Sequence, residues 1–166
     1  MRTRHADRSA RRAREFEAFV AGAGGRLLHA ATLLTAEAPD DNPRARRLLT
    51  LALAHTYACW DRLRGEDPYD RTRRYLATRF AHGLWHHGAL GRIRPRAIGP
   101  LAGLTPQERL ILVLRLYEGV AEEQVAALLG LPTERVHTVC DRATSTLLHP
   151  PRKRTAAAMG AKAAAS

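Results

Sequence analysis

Lysine, cysteine and aromatic residues are scarce in this chain of 166 residues: Lys153 and Lys162 are the only lysines, and there are two Cys, two Trp, four Tyr and three Phe. Cys59 and Cys140 stand far apart, each on an apolar helical pattern, in no spacing that suits a metal or a redox pair, so both are expected as buried thiols. Long apolar runs are absent too, which argues against insertion into a membrane. The arginine-rich start has no apolar stretch after it to make a signal peptide, so a reducing cytoplasm is the expected compartment. His82 and His86 lie one helical turn apart with His87 beside them, but no carboxylate or cysteine completes a zinc set nearby. Asp40-Asp41 is a loop pair without a partner. No glycine loop suited to phosphate and no nucleophile with its base is recognisable. The expectation is a binding protein rather than an enzyme, with no catalytic residue, no metal site and no cofactor.

Positive charge is abundant, and nearly all of it is arginine. The net charge of +11 and the isoelectric point near 11.0 favour a polyanionic partner or an acidic protein surface. Arginine is also the better fork for phosphates and guanine edges. Its distribution is uneven. Residues 1–103 carry 19 Arg against 10 acidic residues (+9), residues 104–148 carry 4 Arg against 6 acids (−2), and residues 149–166 add four basic residues (+4).

The apolar pattern is helical throughout, which gives an all-α fold of two small helical domains joined by a flexible linker. Residues 1–14 are polar and arginine-dense and are expected as a flexible basic arm. A domain over 15–87 follows. Its first helix presents Phe16, Phe19, Val20, Leu27, Ala31 and Leu34 on one face, with Gly22, Gly24 and Gly25 weakening it at roughly 1 kcal/mol each. Asn42-Pro43 and Asp67-Pro68 are two helix starts, each a capping side chain followed by proline. They open stripes at Leu49, Leu53, Tyr57, Trp60 and Leu63, and at Tyr69, Leu76, Phe80 and Leu84. Residues 88–103 combine Gly, Pro and Arg without a period and read as the linker. Thr105-Pro106-Gln107-Glu108 opens a second domain, 104–149, with a capping box and a first-turn proline. Its next segment, RLILVLRLYE, is apolar enough to require burial. Residues 150–166 form a basic, low-complexity tail that is expected to be disordered.

Within the second domain, EEQVAALLGLPTERVHTVCD (122–141) has the composition of a helix-turn-helix. Val125, Leu129, Leu131, Val136 and Val139 supply the packing positions, Ala126 is small at the helix crossing, and Gly130 permits the turn. An ordinary helical corner would share some of these features, but the full set points to nucleic-acid recognition. Thr133 is expected to cap the second helix. Glu134, Arg135, His137, Thr138 and Arg142 are the candidates for DNA contact, with Asp141 as a second acid on the same helix. Glu134 either stabilises the helix dipole or accepts a hydrogen bond from cytosine.

These segments together resemble bacterial extracytoplasmic-function sigma factors, the group IV specificity subunits of RNA polymerase, over about residues 15–148. LTPQERLILVLRLYEGVAEEQVAALLGLPTERV is similar to the family's promoter-binding region four, and RARRLLTLALAHTYACW and RRYLATRFAHGLW look like pieces of region two. The resemblance implies binding to core RNA polymerase and promoter DNA, with Arg73, Arg74, Arg79 and Trp85 on the surface that engages the opened promoter. It places Arg46, Arg47, Thr50 and Leu51 at polymerase-binding positions, where members usually carry an acidic, glutamine-containing stretch. Two further departures are basic residues Arg92, Arg94 and Arg96 in a linker that is often acidic, and Val139 and His137 where the recognition helix is often basic. The chain is therefore expected to be an atypical, sigma-like initiation factor. Two alternatives remain open. One is a stand-alone helix-turn-helix regulator, and the other is an interaction or decoy module that binds an anti-sigma factor, a regulator or polymerase without reading DNA.

Overall fold

The structure is a computed structural model that describes residues 2–63, 65–87 and 97–149, with side chains described for all of these except 2–5 and 84–87. The side chain of Trp85, the linker arginines Arg92, Arg94 and Arg96, and the tail 150–166 lie outside the described residues. Regular structure among the described residues is helical: α1 (Arg2–Thr35), α2 (Pro43–Ala58), a 3-10 turn (Trp60–Arg62), α3 (Pro68–His87), α4 (Pro106–Leu112) running into a π-helical turn (Val113–Tyr117), α5 (Glu122–Leu129) and α6 (Thr133–Leu148).

α1 is a single helix of 34 residues, about 50 Å at 1.5 Å per residue. It includes residues 2–14, which were expected as a flexible arm, and it passes through Gly22, Gly24 and Gly25 without a break. Packing on both sides of the glycines offsets their propensity cost. Phe16 meets Tyr57 and Trp60 with ring centroids 4.9 and 5.3 Å apart, while Leu27, Ala30, Ala31 and Leu34 are buried further along. Ahead of the glycines, Arg12 lies 4.6 Å over the Tyr57 ring and reaches Asp61 at 3.2 Å, which ties the arginine-rich start to the bundle.

The start of α2 differs in detail from the expected cap. Asn42 occupies the cap position but makes no capping hydrogen bond. Its amide instead donates to Thr32 and Pro39, and its oxygen accepts from Arg46. The free amides of Arg44 and Ala45 donate to the Glu37 carboxylate at 3.1 and 2.8 Å, so an acid from the preceding loop does the capping. Asp67 behaves as expected at α3, accepting from the Tyr69 amide at 2.9 Å.

The deepest line of α2 is Ala45, Ala52 and Thr56. Leu49, Leu53 and Tyr57, expected on the buried stripe, are only half-buried. Small side chains let neighbouring helices come close. At the crossing with α3 the Thr56 and Thr72 hydroxyls meet at 2.8 Å, one donating to the other while its partner donates to the carbonyl four residues back.

Residues 97–103, expected as linker, belong to the fold. The Ile98 amide donates to Ala36 at the end of α1, and Leu101 and Leu104 are buried. One continuous apolar core joins α1, α2 and α3 to α4, α5 and α6. α4 makes this possible because Leu110, Ile111, Leu112, Val113 and Leu114 are all buried, and a helix apolar on every side must be covered on every side. Arg109, itself buried, donates to Leu34 of α1 and to Leu104.

Candidate nucleic-acid interface

The helix-turn-helix is held by Val125, Ala126 and Leu129 on α5 and by Val136, Val139 and Ala143 on α6, all buried. Gly130 ends α5 at φ 64°, ψ 35°, in the left-handed region, and the Leu131 amide returns to the Ala126 carbonyl. Val139, read as both a packing position and a missing base contact, is 1% exposed and belongs to the core.

Burying that face turns Glu134, Arg135, His137, Thr138, Asp141 and Arg142 outward as one exposed stripe. Thr133 begins α6 but does not cap it. Pro132 occupies the cap position with extended backbone, and no side chain caps the helix there.

Several of these groups are already engaged. Arg142 donates to Glu108 at 2.9 Å. His137 faces Glu122 at 3.5 Å through Nδ1 and Asp141 at 3.2 Å through Nε2. The Thr138 hydroxyl donates to the Glu134 carbonyl. Among the described residues Arg135 is the basic side chain of this stripe for which no ion pair forms.

Glu108 links the stripe to the start of α4. Its carboxylate accepts from the Thr105 amide, and the Thr105 hydroxyl accepts from the Glu108 amide, completing the expected capping box. Burial alone would push the Glu108 carboxyl up, but the Thr105 amide and hydroxyl and the Arg142 guanidinium outweigh it and hold the group below the usual carboxylate range.

The remaining candidates lie on the N-terminal helices. Arg46, Arg47, Thr50 and Leu51 share one exposed face of α2, spaced one helical turn apart in pairs. Arg74 and Arg79 are exposed on α3, with Arg74 held by Glu66 at 3.1 Å. Arg73 is more enclosed: its side chain is 19% exposed, 3.0 Å from Asp70 and 3.9 Å from Glu118. Arg73 and Arg74 line a cleft of about 380 Å³ whose other wall includes Leu114, Val120 and Leu128; Arg73 is enclosed in it toward the C-terminal helices, while Arg74 stays exposed at its edge.

Glu118 is the residue that sequence reasoning missed, because it is only the last residue of the apolar segment RLILVLRLYE. Its side chain is 1% exposed. Tyr69 donates its hydroxyl to the carboxylate at 2.9 Å, Arg26 approaches at 3.6 Å, and the Arg26 guanidinium lies 5.3 Å over the Tyr69 ring. Burial first, and then the Glu118 carboxylate, push the Tyr69 hydroxyl well above its usual value. No local sequence signal marks it; in the structure it follows the π-helical turn, where the Glu118 amide reaches back to Val113.

A capping box, a buried apolar helix, a left-handed glycine turn and an outward-facing second helix thus occur in one stretch. Residues 101–147 match the family model for sigma-70, region 4. The chain therefore contains a region 4 domain, a DNA-binding helix-turn-helix of transcription initiation and not a catalytic module. Its matched span begins at Leu101, the buried residue that docks the entry of α4, and ends within α6. The helices α1, α2 and α3 lie outside the region 4 match. No curated protein and no solved structure matches the chain. No described helix is long and apolar enough to cross a membrane.

Proposed function

We propose that the chain is a sigma-like initiation factor of the extracytoplasmic-function kind, working in the cytoplasm with core RNA polymerase and promoter DNA. The observation that carries this reading is the coincidence of the region 4 match with a helix-turn-helix whose second helix presents one continuous exposed stripe. Region 4 would lie on the upstream promoter element, with Arg135 as the principal phosphate or base contact and His137, Thr138 and Arg142 beside it. Residues 15–87 would act as the region-two-like domain. Arg46, Arg47, Thr50 and Leu51 are its polymerase face, and Arg74, Arg79 and Trp85 its face toward the opened promoter. Arg73 joins that surface only when the contact with Glu118 is released. The protein binds and positions. The test is affinity capture of the tagged protein from lysate followed by reconstituted transcription. Core polymerase in the eluate and start-site-specific transcripts are expected, and absence of both sinks the proposal.

A second reading has its own support. His137 and Arg142 are already paired with acids on the same domain, and Glu134 and Asp141 stand on the reading face. Such a surface would suit a module that meets a protein, such as an anti-sigma factor or polymerase itself, without reading DNA. Polymerase capture with no promoter footprint favours this reading over the first.

A further inference from the structure

The first turns of α1 have no role in the region 4 reading, and they carry the densest charge in the described structure. α1 first meets the rest of the bundle at Arg12, through Asp61 and the Tyr57 ring. Before that point residues 6–11 are all exposed, and Arg8, Arg11 and Arg14 are exposed at successive three-residue steps that wind from the turn before Arg12, past the flank of α1, to the side opposite Phe16 and Phe19. Asp7 is the one acid among residues 2–14, and the nearest other acid, Glu15, is held by Arg11 at 2.7 Å.

We propose that this arginine face is a second nucleic-acid contact, which lays the start of α1 against the phosphates of B-form DNA independently of region 4 and of polymerase. The composition selects the partner class. A protein interface is anchored by arginine together with aromatic or large apolar side chains that fill pockets, and residues 2–11 supply the arginine but no apolar side chain larger than alanine. Ala6, Ser9 and Ala10 keep the helix slender. A helix about 10–12 Å across fits a B-form major groove about 12 Å wide, whereas the A-form major groove of RNA is too narrow to admit it. Arginine rather than lysine adds the planar fork that binds a phosphate through two hydrogen bonds.

The experiment measures full-length protein binding to a random-sequence 30-base-pair DNA duplex by anisotropy between 50 and 200 mM salt. Each phosphate contact contributes roughly 0.9 to the slope of log affinity against log salt, so R8Q/R11Q/R14Q should flatten the slope by about 2 to 3. R8K/R11K/R14K, which keeps the charge, should retain it. S9E/A10E leaves the arginines in place and should weaken binding at 50 mM salt by about tenfold, on the same electrostatic grounds. All five positions are exposed, so helicity and melting temperature should stay at wild-type values, and S9E/A10E carries the test if the glutamine variant does not fold. An unchanged slope or affinity overturns the proposal, as does equal loss of binding to an RNA duplex of the same sequence. Because polymerase and promoter are absent from the assay, failure here leaves the proposed initiation role standing, and the reverse also holds.

Discussion

Gly130 illustrates how a single residue decides local geometry. It sits at φ 64° with no neighbouring atom within 4 Å of where a Cβ would be, so crowding is not what requires glycine. The left-handed backbone is. G130A should therefore lower stability by about 1 to 2 kcal/mol, read as a shift in the urea midpoint with an unchanged slope. A wild-type midpoint would mean that the turn relaxes out of this conformation. Two carboxylates make a different residue-scale statement. For Glu37, burial acts upward but is outweighed by the Ala45 amide and by the side chain and amide of Arg44. Glu108 is likewise held low against its own burial. A depressed folded-state pKa stabilises the fold above the unfolded value, near 4.3, and that contribution is lost as pH falls through the folded value. Stability at constant urea should accordingly drop below about pH 4.5, and E37Q should show a shallower fall. Equal acid sensitivity in E37Q would remove Glu37 as a cause.

Among the elements, α4 to α6 were the most legible, because their signals are local. Thr105 and Glu108 complete each other across three residues, and Gly130 needs no distant partner. α1 was harder. Its first 14 residues lack an apolar stripe, and their anchorage at Arg12 comes from Asp61 and Tyr57, 49 and 45 positions away. The same applies to the face of α2, where Ala45, Ala52 and Thr56 take the buried line from larger residues because the approach of α3 favours small ones. Among the candidate site residues, the outward stripe of α6 followed from helical period alone. The enclosure of Arg73 did not, because it depends on Glu118, 45 positions on. That pairing supports an element-scale prediction. Tyr69 is the neutral donor to a carboxylate with 1% side-chain exposure, and hydrogen bonds to charged groups contribute roughly 1.5–3 kcal/mol. Y69F should cost an amount in that range, and it should loosen the seam between α3 and the π-helical turn. Hydrogen exchange would register this as faster exchange at Val120 and Leu114 than in α6. A Y69F protein with wild-type stability would show that water or Arg26 satisfies Glu118 without the hydroxyl.

The whole molecule is built around one core, although its sequence reads as two modules on a linker. The expectation of two small domains came from the helical periods on either side of the Gly-Pro-Arg stretch at 88–103. Both sets of helices are present, and Leu101 and Leu104 pack back against the end of α1 with α4 covered on both sides, so that the two apolar cores run together. A small domain buries too little surface to be robust alone, so sharing α4 between the two sets of helices raises the stability of each. The tryptophans provide a direct test, since Trp60 and Trp85 both precede region 4, which has none. Val136 of α6 is 0% exposed, and V136A removes two buried methyl groups from the core of the helix-turn-helix, which should cost about 1 to 2.5 kcal/mol. If the core is continuous in energy as well as in space, the tryptophan-reported unfolding transition should move to lower urea by the same amount as the helicity measured by circular dichroism. With independent modules, V136A would leave the tryptophan transition where it is and split the circular dichroism curve into two steps. A coincident shift would also mean that freeing Arg73 for DNA requires separating the two sets of helices, so a partner that uses this surface must bind the opened form more tightly than the closed one.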